Sequence, residues 1–107
     1  IQIDQIEKMV QENYTSPDFS VSSLADHFHV SIAYMSYLFK KHYKVNFIDY
    51  LWKLRMNKAK EMLSTTDTNI NEISIAVGYL NTSSFRRRFK QETGQTPSQF
   101  RKTNKSK

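Results

Sequence analysis

Two stretches of the sequence, fifty positions apart, carry the same residue pattern, and this repeat limits the folds open to the chain. Residues 35–40 align with residues 85–90, and each stretch ends in phenylalanine followed by lysine. Upstream the best offset is 49, which makes the second turn one residue longer. Each copy contains two short helical patterns joined by a turn, which is the layout of a helix-turn-helix. We therefore predict two such subdomains.

The chain has few residues that interrupt helices, and its apolar residues recur at the helical period. It contains two glycines and two prolines, and no stretch alternates as a strand would. We predict an all-α fold of about seven helices. Its parts are a first helix-turn-helix subdomain over 1–45, a connector helix over 46–64 and a second helix-turn-helix subdomain over 65–107. The predicted N-caps are Ser20, Ser31, Asn46, Asn69, Asn81 and Thr96.

The connector helix is expected to run for about 17 residues, which is a length of roughly 25 Å. Successive major-groove segments on one face of B-DNA lie about 34–36 Å apart. A stiff connector, together with the width of the flanking helices, can hold two reading helices at about that separation. The pattern therefore favours duplex DNA over a single strand, for which exposed aromatic platforms would be expected.

Positive charge is concentrated towards the C-terminus. The formal net charge is +6 and the sequence pI is about 9.6. Residues 81–107 hold eight Lys or Arg and one acidic residue, whereas residues 1–80 hold eight basic and nine acidic residues. This asymmetry indicates a polyanion as partner, either nucleic acid or an anionic membrane surface. The membrane alternative is the weaker one, because the aromatic residues recur at core spacing and leave no long amphipathic helix exposed.

No pattern indicates an enzyme, a metal site or a cofactor. The absence of cysteine excludes disulfides and thiolate metal ligands. His27 and His29 face different sides of a helix end, and with His42 they form no ligand set. No Gly-rich phosphate loop, pair of catalytic carboxylates or Ser/His/Asp set stands out. Since no membrane span or signal peptide is evident, a reducing cytoplasm is the expected setting.

The most informative stretch is the helix predicted to follow the Gly78-Tyr79 turn. Phe85 and Phe89 are four apart and can anchor one face of this helix in a core. Arginine pairs bidentately with guanine, and hydroxyl groups can bond to bases or phosphates. We therefore assign contacts at or near base edges to the other face of the helix. The residues are Thr82, Ser83, Arg86 and Arg87.

Three consecutive arginines in this helix cannot all face one groove, because they sweep about 200° around the helix axis. Arg87 is our first choice for base readout, since it lies about one turn from Ser83 and Ser84. For Arg86, a phosphate contact or simple solvent exposure is an equal alternative. Arg88 is expected to lay its stem over the rim of the core.

The corresponding positions of the first unit are neutral. Readout there would depend on thymine methyl groups and on DNA shape. We therefore expect the second unit to contribute more of the salt-sensitive affinity, and a double-mutant comparison in which the first unit dominates would contradict this. The base-reading positions of the first unit are Ile32, Ala33, Ser36 and Tyr37.

Contacts to DNA phosphates are expected from four further residues. Lys40 and Lys90 are the direct candidates, and the alternative for each is a solvated lysine. Ser31 and Asn81 act first as caps and second as phosphate ligands, because helix N-termini attract phosphate. Arg101 leaves two interpretations open, a structural role and a phosphate contact.

The spacing of the second half resembles the DNA-binding domain of the AraC/XylS family of bacterial transcription regulators, and the resemblance extends over about residues 3–103. It implies two helix-turn-helix subdomains bridged by one helix. It also implies a sequence-specific regulator of transcription, usually an activator. The residues that carry it most specifically are Ile73, Gly78, Tyr79, Phe85, Phe89, Lys90, Gly94, Pro97, Phe100 and Arg101.

Three features depart from the family pattern. His29 stands where the first unit of the family often has glycine, and Lys44 stands where the second unit has Gly94. Both turns are therefore expected to be strained or differently shaped. Ser74 replaces the usual alanine, and its hydroxyl can bond back to a carbonyl of its own helix. Tyr37 occupies the position of Arg87, so the first unit lacks the paired arginine.

The chain begins at Ile1 rather than methionine, which suggests a longer protein with an N-terminal sensing or dimerisation domain as partner. RNA polymerase is a further potential partner. Trp52 lies off the apolar stripe of the connector and either folds along its own helix or contacts one of these partners.

The main alternative function is a helical protein-interaction module whose basic end only improves solubility. Charge reversal at Arg87 distinguishes the two functions.

Overall fold

The computed structural model describes residues 1–105 and contains seven α-helices, with no strand in that range. The predicted all-α class is confirmed. The connector is 19 residues long, slightly longer than its apolar pattern predicted. The helices are α1 (Ile3–Asn13), α2 (Val21–His27), α3 (Ile32–Tyr43), α4 (Phe47–Thr65), α5 (Ile70–Ala76), α6 (Thr82–Thr93) and α7 (Pro97–Asn104).

Local side-chain chemistry fixes where six of these helices begin. All six predicted N-cap side chains accept a hydrogen bond from the backbone N–H three residues further on. In α2 and α7 the bond is reciprocated, because Ser23 and Gln99 accept from the N–H groups of Ser20 and Thr96. Each cap contributes about 0.5–2 kcal/mol to helix stability. The starts of α3 and α6 therefore follow from sequence alone.

The chain divides into two compact units, and the division falls inside α4, after Leu54. Each unit has a hydrophobic core of its own. The core of the first unit consists of Ile6, Val10, Phe19, Leu24, Ala25, Met35, Phe39, Phe47 and Leu51. The core of the second unit consists of Met56, Ala59, Leu63, Ile73, Val77, Phe85 and Phe89.

Aromatic contacts in the first unit fix the rotation of α3 about its axis. Phe39 is fully buried, and its ring meets the ring of Phe47 edge-on at 5.3 Å. It also stacks on Tyr43 at 4.3 Å between ring centroids. Ala25 is a small residue of α2 that is 1% exposed, and its size allows α2 and α3 to pack closely. With this side of α3 buried, the opposite side faces outward.

A carboxylate–tyrosine cluster ties α1 to α3 and α4 within the first unit. The Glu7 carboxylate accepts hydrogen bonds from the hydroxyl groups of Tyr43 and Tyr50, and from the Gln11 amide. Partial burial works against ionisation of Glu7, but the bonds from Tyr43, Gln11 and Tyr50 outweigh it and lower its pKa. Burial and the bond to Glu7 raise the pKa of Tyr43. The cluster is therefore most stable with an ionised Glu7 and neutral tyrosines.

The first unit should accordingly lose stability in acid. Because the pKa of Glu7 in the folded chain lies below its ordinary value of 4.5, the contribution of this carboxylate is fully present above that pH. It declines as the pH falls through the lower pKa of the folded state. Thermal unfolding between pH 7 and pH 3, followed by the fluorescence of Trp52, should show a shallower pH dependence in Glu7→Gln. An unchanged dependence in that variant would contradict the assignment.

In the second unit, Gly78 ends α5 and lies directly against a buried arginine. Its φ is +109°, a backbone conformation that residues with a Cβ rarely adopt. A Cβ at this position would lie 2.7 Å from Nε of Arg55. Arg55 is 6% exposed, and its guanidinium carbon lies 5.7 Å from the centre of the Tyr79 ring. The hydroxyl of Ser74 donates to the carbonyl of Tyr79 at 3.3 Å, across the turn. The sequence predicted that the Ser74 hydroxyl would bond to a carbonyl of its own helix. In the structure it bonds instead to the Tyr79 carbonyl and closes the turn after α5.

The two positions that depart from glycine keep the left-handed backbone. His29 has a φ of +56° and Lys44 a φ of +66°. Lys44 ends α3 as Gly94 ends α6, and both N–H groups donate to the carbonyl four residues back. The turns are therefore strained rather than reshaped, since a residue with a Cβ in this region costs about 1–2 kcal/mol.

Replacing Lys44 by glycine should stabilise the first unit. The backbone strain energy that is relieved exceeds the free-energy cost of the entropy that glycine adds to the unfolded chain. We therefore expect the free energy of unfolding to rise by about 0.5–1 kcal/mol. The matched control is Gly94→Lys, where an added Cβ meets nothing within 4 Å, so only the backbone term acts. Amide hydrogen exchange measures each unit separately. A loss of stability in Lys44→Gly would show that the lysine side chain, not the backbone, decides this position.

Candidate nucleic-acid interface

The face of α6 that points away from the core is polar and basic. Phe85 and Phe89 are both fully buried, which sets the rotation of the helix. Five other positions lie within an arc of about 140° on another side of α6. Thr82 is half-buried and the remaining four are exposed. They are Thr82, Ser83, Arg86, Arg87 and Lys90.

The three consecutive arginines have three different environments. Arg88 is half-buried and its Nε lies 2.9 Å from Oε1 of Glu92, so its charge is paired along the helix. Arg86 is exposed, and its Nη2 donates to Oδ1 of Asn71 at 2.9 Å. Arg87 is exposed, and its guanidinium makes no hydrogen bond or ion pair with residues 1–105. Arg87 therefore has its full set of donors available for a ligand.

The contact between Arg86 and Asn71 was not anticipated from the sequence. It links α6 to the first turn of α5, fifteen residues earlier, where Asn71 is exposed. The side-chain oxygen of Asn71 holds one nitrogen of the guanidinium and leaves the others open. No local sequence signal predicts this bond, because Asn71 and Arg86 are ordinary polar residues that lie fifteen positions apart.

The equivalent face of α3 is exposed but carries apolar and aromatic groups at its N-terminal end. Ile32 is 51% exposed and Tyr37 is 57% exposed, with Ala33 and Ser36 exposed beside them. Nζ of Lys41 lies 5.7 Å from the centre of the Tyr37 ring, at the distance of a cation–π contact. All four predicted base-reading residues of this unit are thus brought together on one surface of the helix.

The four predicted phosphate ligands are all exposed. Lys40 and Lys90 lie at equivalent positions, two turns into α3 and α6. Ser31 accepts from the N–H of Tyr34 at 3.1 Å, and Asn81 accepts from the N–H of Ser84 at 3.0 Å. Their side-chain oxygens serve as caps, and the remaining N–H groups of the first turn provide the positive end of the helix.

Arg101 has a structural role that the sequence left undecided. Its Nε donates to the carbonyl of Leu63 at 3.1 Å, and its Nη2 donates to the carbonyl of Thr66 at 3.1 Å. The guanidinium thus satisfies backbone acceptors at the end of α4, which would otherwise lack partners. Lys105 also donates to the Thr66 carbonyl. Two basic side chains of the C-terminal end therefore stabilise the end of the connector.

Two further features bear on the kind of site. Within the described part of the chain, no three His, Asp or Glu side chains are grouped so that they could hold a metal ion. None of the helices in residues 1–105 combines the length and apolar character needed to cross a membrane. Two capped, core-anchored helices, each the second of a turn-linked pair and each with an exposed face, define a helix-turn-helix DNA-binding domain as the class of protein.

Comparison with known proteins gives a consistent result. A family model described as a helix-turn-helix domain matches residues 24–103. The bifunctional transcriptional activator/DNA repair enzyme AdaA of Bacillus subtilis is 36% identical over 103 residues, which cover 96% of this chain and 48% of AdaA. The C-terminal domain of the response regulator yesN from Fusobacterium nucleatum has a TM-score of 0.89 at 37% identity, covering 92% of this chain and 95% of that one.

The C-terminal domain of AraT, a response regulator from Geobacillus stearothermophilus, has a TM-score of 0.93 at 32% identity, covering 98% of this chain and 87% of that domain. The chain belongs to the AraC/XylS-type family of helix-turn-helix DNA-binding domains, as the resemblance in its sequence implied. It spans about half the length of AdaA.

Proposed function

We propose that this domain binds duplex DNA sequence-specifically as part of a bacterial transcription regulator, with α3 and α6 in successive major-groove segments. In this proposal each compact unit acts as one helix-turn-helix subdomain. Base edges are read by Ile32, Ala33, Ser36, Tyr37, Thr82, Ser83, Arg86 and Arg87, and phosphates are bound by Ser31, Lys40, Asn81 and Lys90.

The observation that carries this proposal is the state of Arg87. Its guanidinium is exposed, makes no bond within residues 1–105, and projects from a helix that two buried phenylalanines hold in place. A guanidinium in this state can pair bidentately with O6 and N7 of guanine, the commonest specific contact in the major groove. Ser83, one turn earlier, places a hydroxyl beside it.

The remaining parts of the proposal concern the whole protein. The chain spans about half of AdaA, so we propose that a further domain supplies sensing or dimerisation. We propose activation of transcription in the cytoplasm, through contact with RNA polymerase, and a binding rather than an enzymatic role for this domain. Trp52, which is half-buried on α4, is the side chain we would test for contact with either partner.

Selection from a randomised duplex library, repeated at two salt concentrations, tests this function. An enriched sequence with two elements about one helical turn apart is the expected result. Strong, salt-sensitive binding without an enriched sequence would show that the basic end only binds phosphates. No binding at low salt would overturn the proposal in favour of a protein-interaction module.

A further inference from the structure

The recognition helices of the two units present different chemistry at equivalent positions. Positions 32, 33, 36 and 37 of α3 correspond to positions 82, 83, 86 and 87 of α6. In α6 these positions carry two hydroxyl groups and two arginines. In α3 they carry an isoleucine, an alanine, a serine and a tyrosine, and the two largest of these side chains are more than half exposed. The next positively charged groups of α3 are Lys40 and Lys41, one turn further on.

We propose that α3 recognises thymine through its C5-methyl group, with Ile32 and Tyr37 as the specificity-determining residues of the first half-site. This inference rests on the proposed function and adds to it the base that the first unit selects. The thymine methyl is the apolar group that the major groove displays. Covering it with Ile32 removes apolar surface from water on both sides, which favours the complex in proportion to the area buried.

Tyr37 offers a second apolar contact on the outward surface of α3. Its ring occupies the position that Arg87 has in α6, and Nζ of Lys41 lies 5.7 Å from the ring centre. The charge of the lysine is attracted to the face of this exposed ring. Tyr37 thus offers an apolar edge on the outward surface of α3, about 140° further round the helix than Ile32, and a hydroxyl that can bond to a base or a phosphate.

The two half-sites should therefore differ in their dependence on salt. Apolar contact with a methyl group releases no counterions, whereas neutralisation of phosphates does. Ile32→Ala and Tyr37→Ala should weaken binding while the slope of log affinity against log salt is unchanged. Both side chains are exposed on a helix, so alanine is expected to preserve the fold, which circular dichroism checks.

The test replaces thymine by deoxyuridine, which lacks the methyl group, at single positions of the duplex selected by the wild-type chain. The half-site whose enrichment survives in Arg87→Ala is assigned to the first unit. Loss of one methyl contact there should weaken wild-type binding by about fourfold, the equivalent of roughly 0.8 kcal/mol for one buried carbon. In Ile32→Ala or Tyr37→Ala the same replacement should have a smaller effect.

Tyr34→Ala is the matched control, because Tyr34 is 48% exposed on α3 but lies about 60° further round the helix than Tyr37. It should keep the full sensitivity to deoxyuridine. A first half-site without thymine, or one in which deoxyuridine changes nothing, would overturn the inference while sequence-specific binding stands. Failure to bind any duplex would remove the proposed function and this inference together.

Discussion

Replacing Arg87 by glutamate is expected to lower the affinity for the selected duplex at least about 100-fold at 0.1 M salt. A bidentate arginine–guanine pair contributes about 1–3 kcal/mol of discrimination, and a carboxylate facing phosphates adds repulsion. The exposed Arg87 makes no hydrogen bond or ion pair within residues 1–105 that its loss would break, so helicity should be unchanged. Fluorescence anisotropy with a labelled duplex measures the affinity, and circular dichroism measures the helicity.

The control is Arg88→Glu, which makes the same change of charge one residue away. Arg88 is half-buried and paired with Glu92, and it lies about 100° further round α6 than Arg87, outside the arc of the predicted base-reading residues. We expect a loss of affinity that is smaller by about tenfold or more, since this change breaks the ion pair with Glu92 and lowers the general charge but removes no donor from the reading face. Equal losses in the two variants would show that α6 contributes positive charge without reading bases.

Replacing Gly78 by alanine is expected to destabilise the second unit by about 2–4 kcal/mol. The φ of +109° is unfavourable for any residue with a Cβ, at about 1–3 kcal/mol. In addition, the new methyl group would lie 2.7 Å from Nε and 2.9 Å from Cζ of Arg55. Because Arg55 is 6% exposed, its guanidinium has little room to move, and the turn before α6 should shift. Amide hydrogen exchange of α5 and α6 measures this loss.

Gly94→Ala separates the two causes. Its φ of +79° imposes backbone strain, but an added Cβ there meets nothing within 4 Å. We expect a loss of about 1 kcal/mol at this position. The difference between the two glycines then measures the steric conflict with Arg55 together with the difference in backbone strain between a φ of +109° and one of +79°. If both variants lost the same stability, Arg55 would not be the reason that glycine is required at position 78.

The sequence predicted the features that depend on neighbours along the chain. The N-caps Ser31 and Asn81 follow from preferences within one turn, and all six predicted caps are confirmed. Burial of Phe85 and Phe89 follows from their spacing of four residues. The repeat located the left-handed turn at Lys44 by comparison with Gly94.

What the sequence could not predict are contacts between residues far apart in the chain. The bond from Arg86 to Asn71 spans fifteen residues, and the bond from Arg101 to Leu63 spans thirty-eight. Such pairs depend on the packing of helices, which periodicity does not specify. They also decide which basic residues remain available, since Arg101 is engaged in such bonds whereas Arg87 is not.

The most direct test of sequence reading by both units is a hydroxyl-radical footprint of the wild-type chain on the selected duplex. Two protected stretches about 10 bp apart, on one face of the DNA, are predicted. In Arg87→Ala one stretch should lose protection while the other keeps it. A single protected stretch in the wild type, or equal weakening of both stretches in the variant, would contradict the assignment of one half-site to each recognition helix.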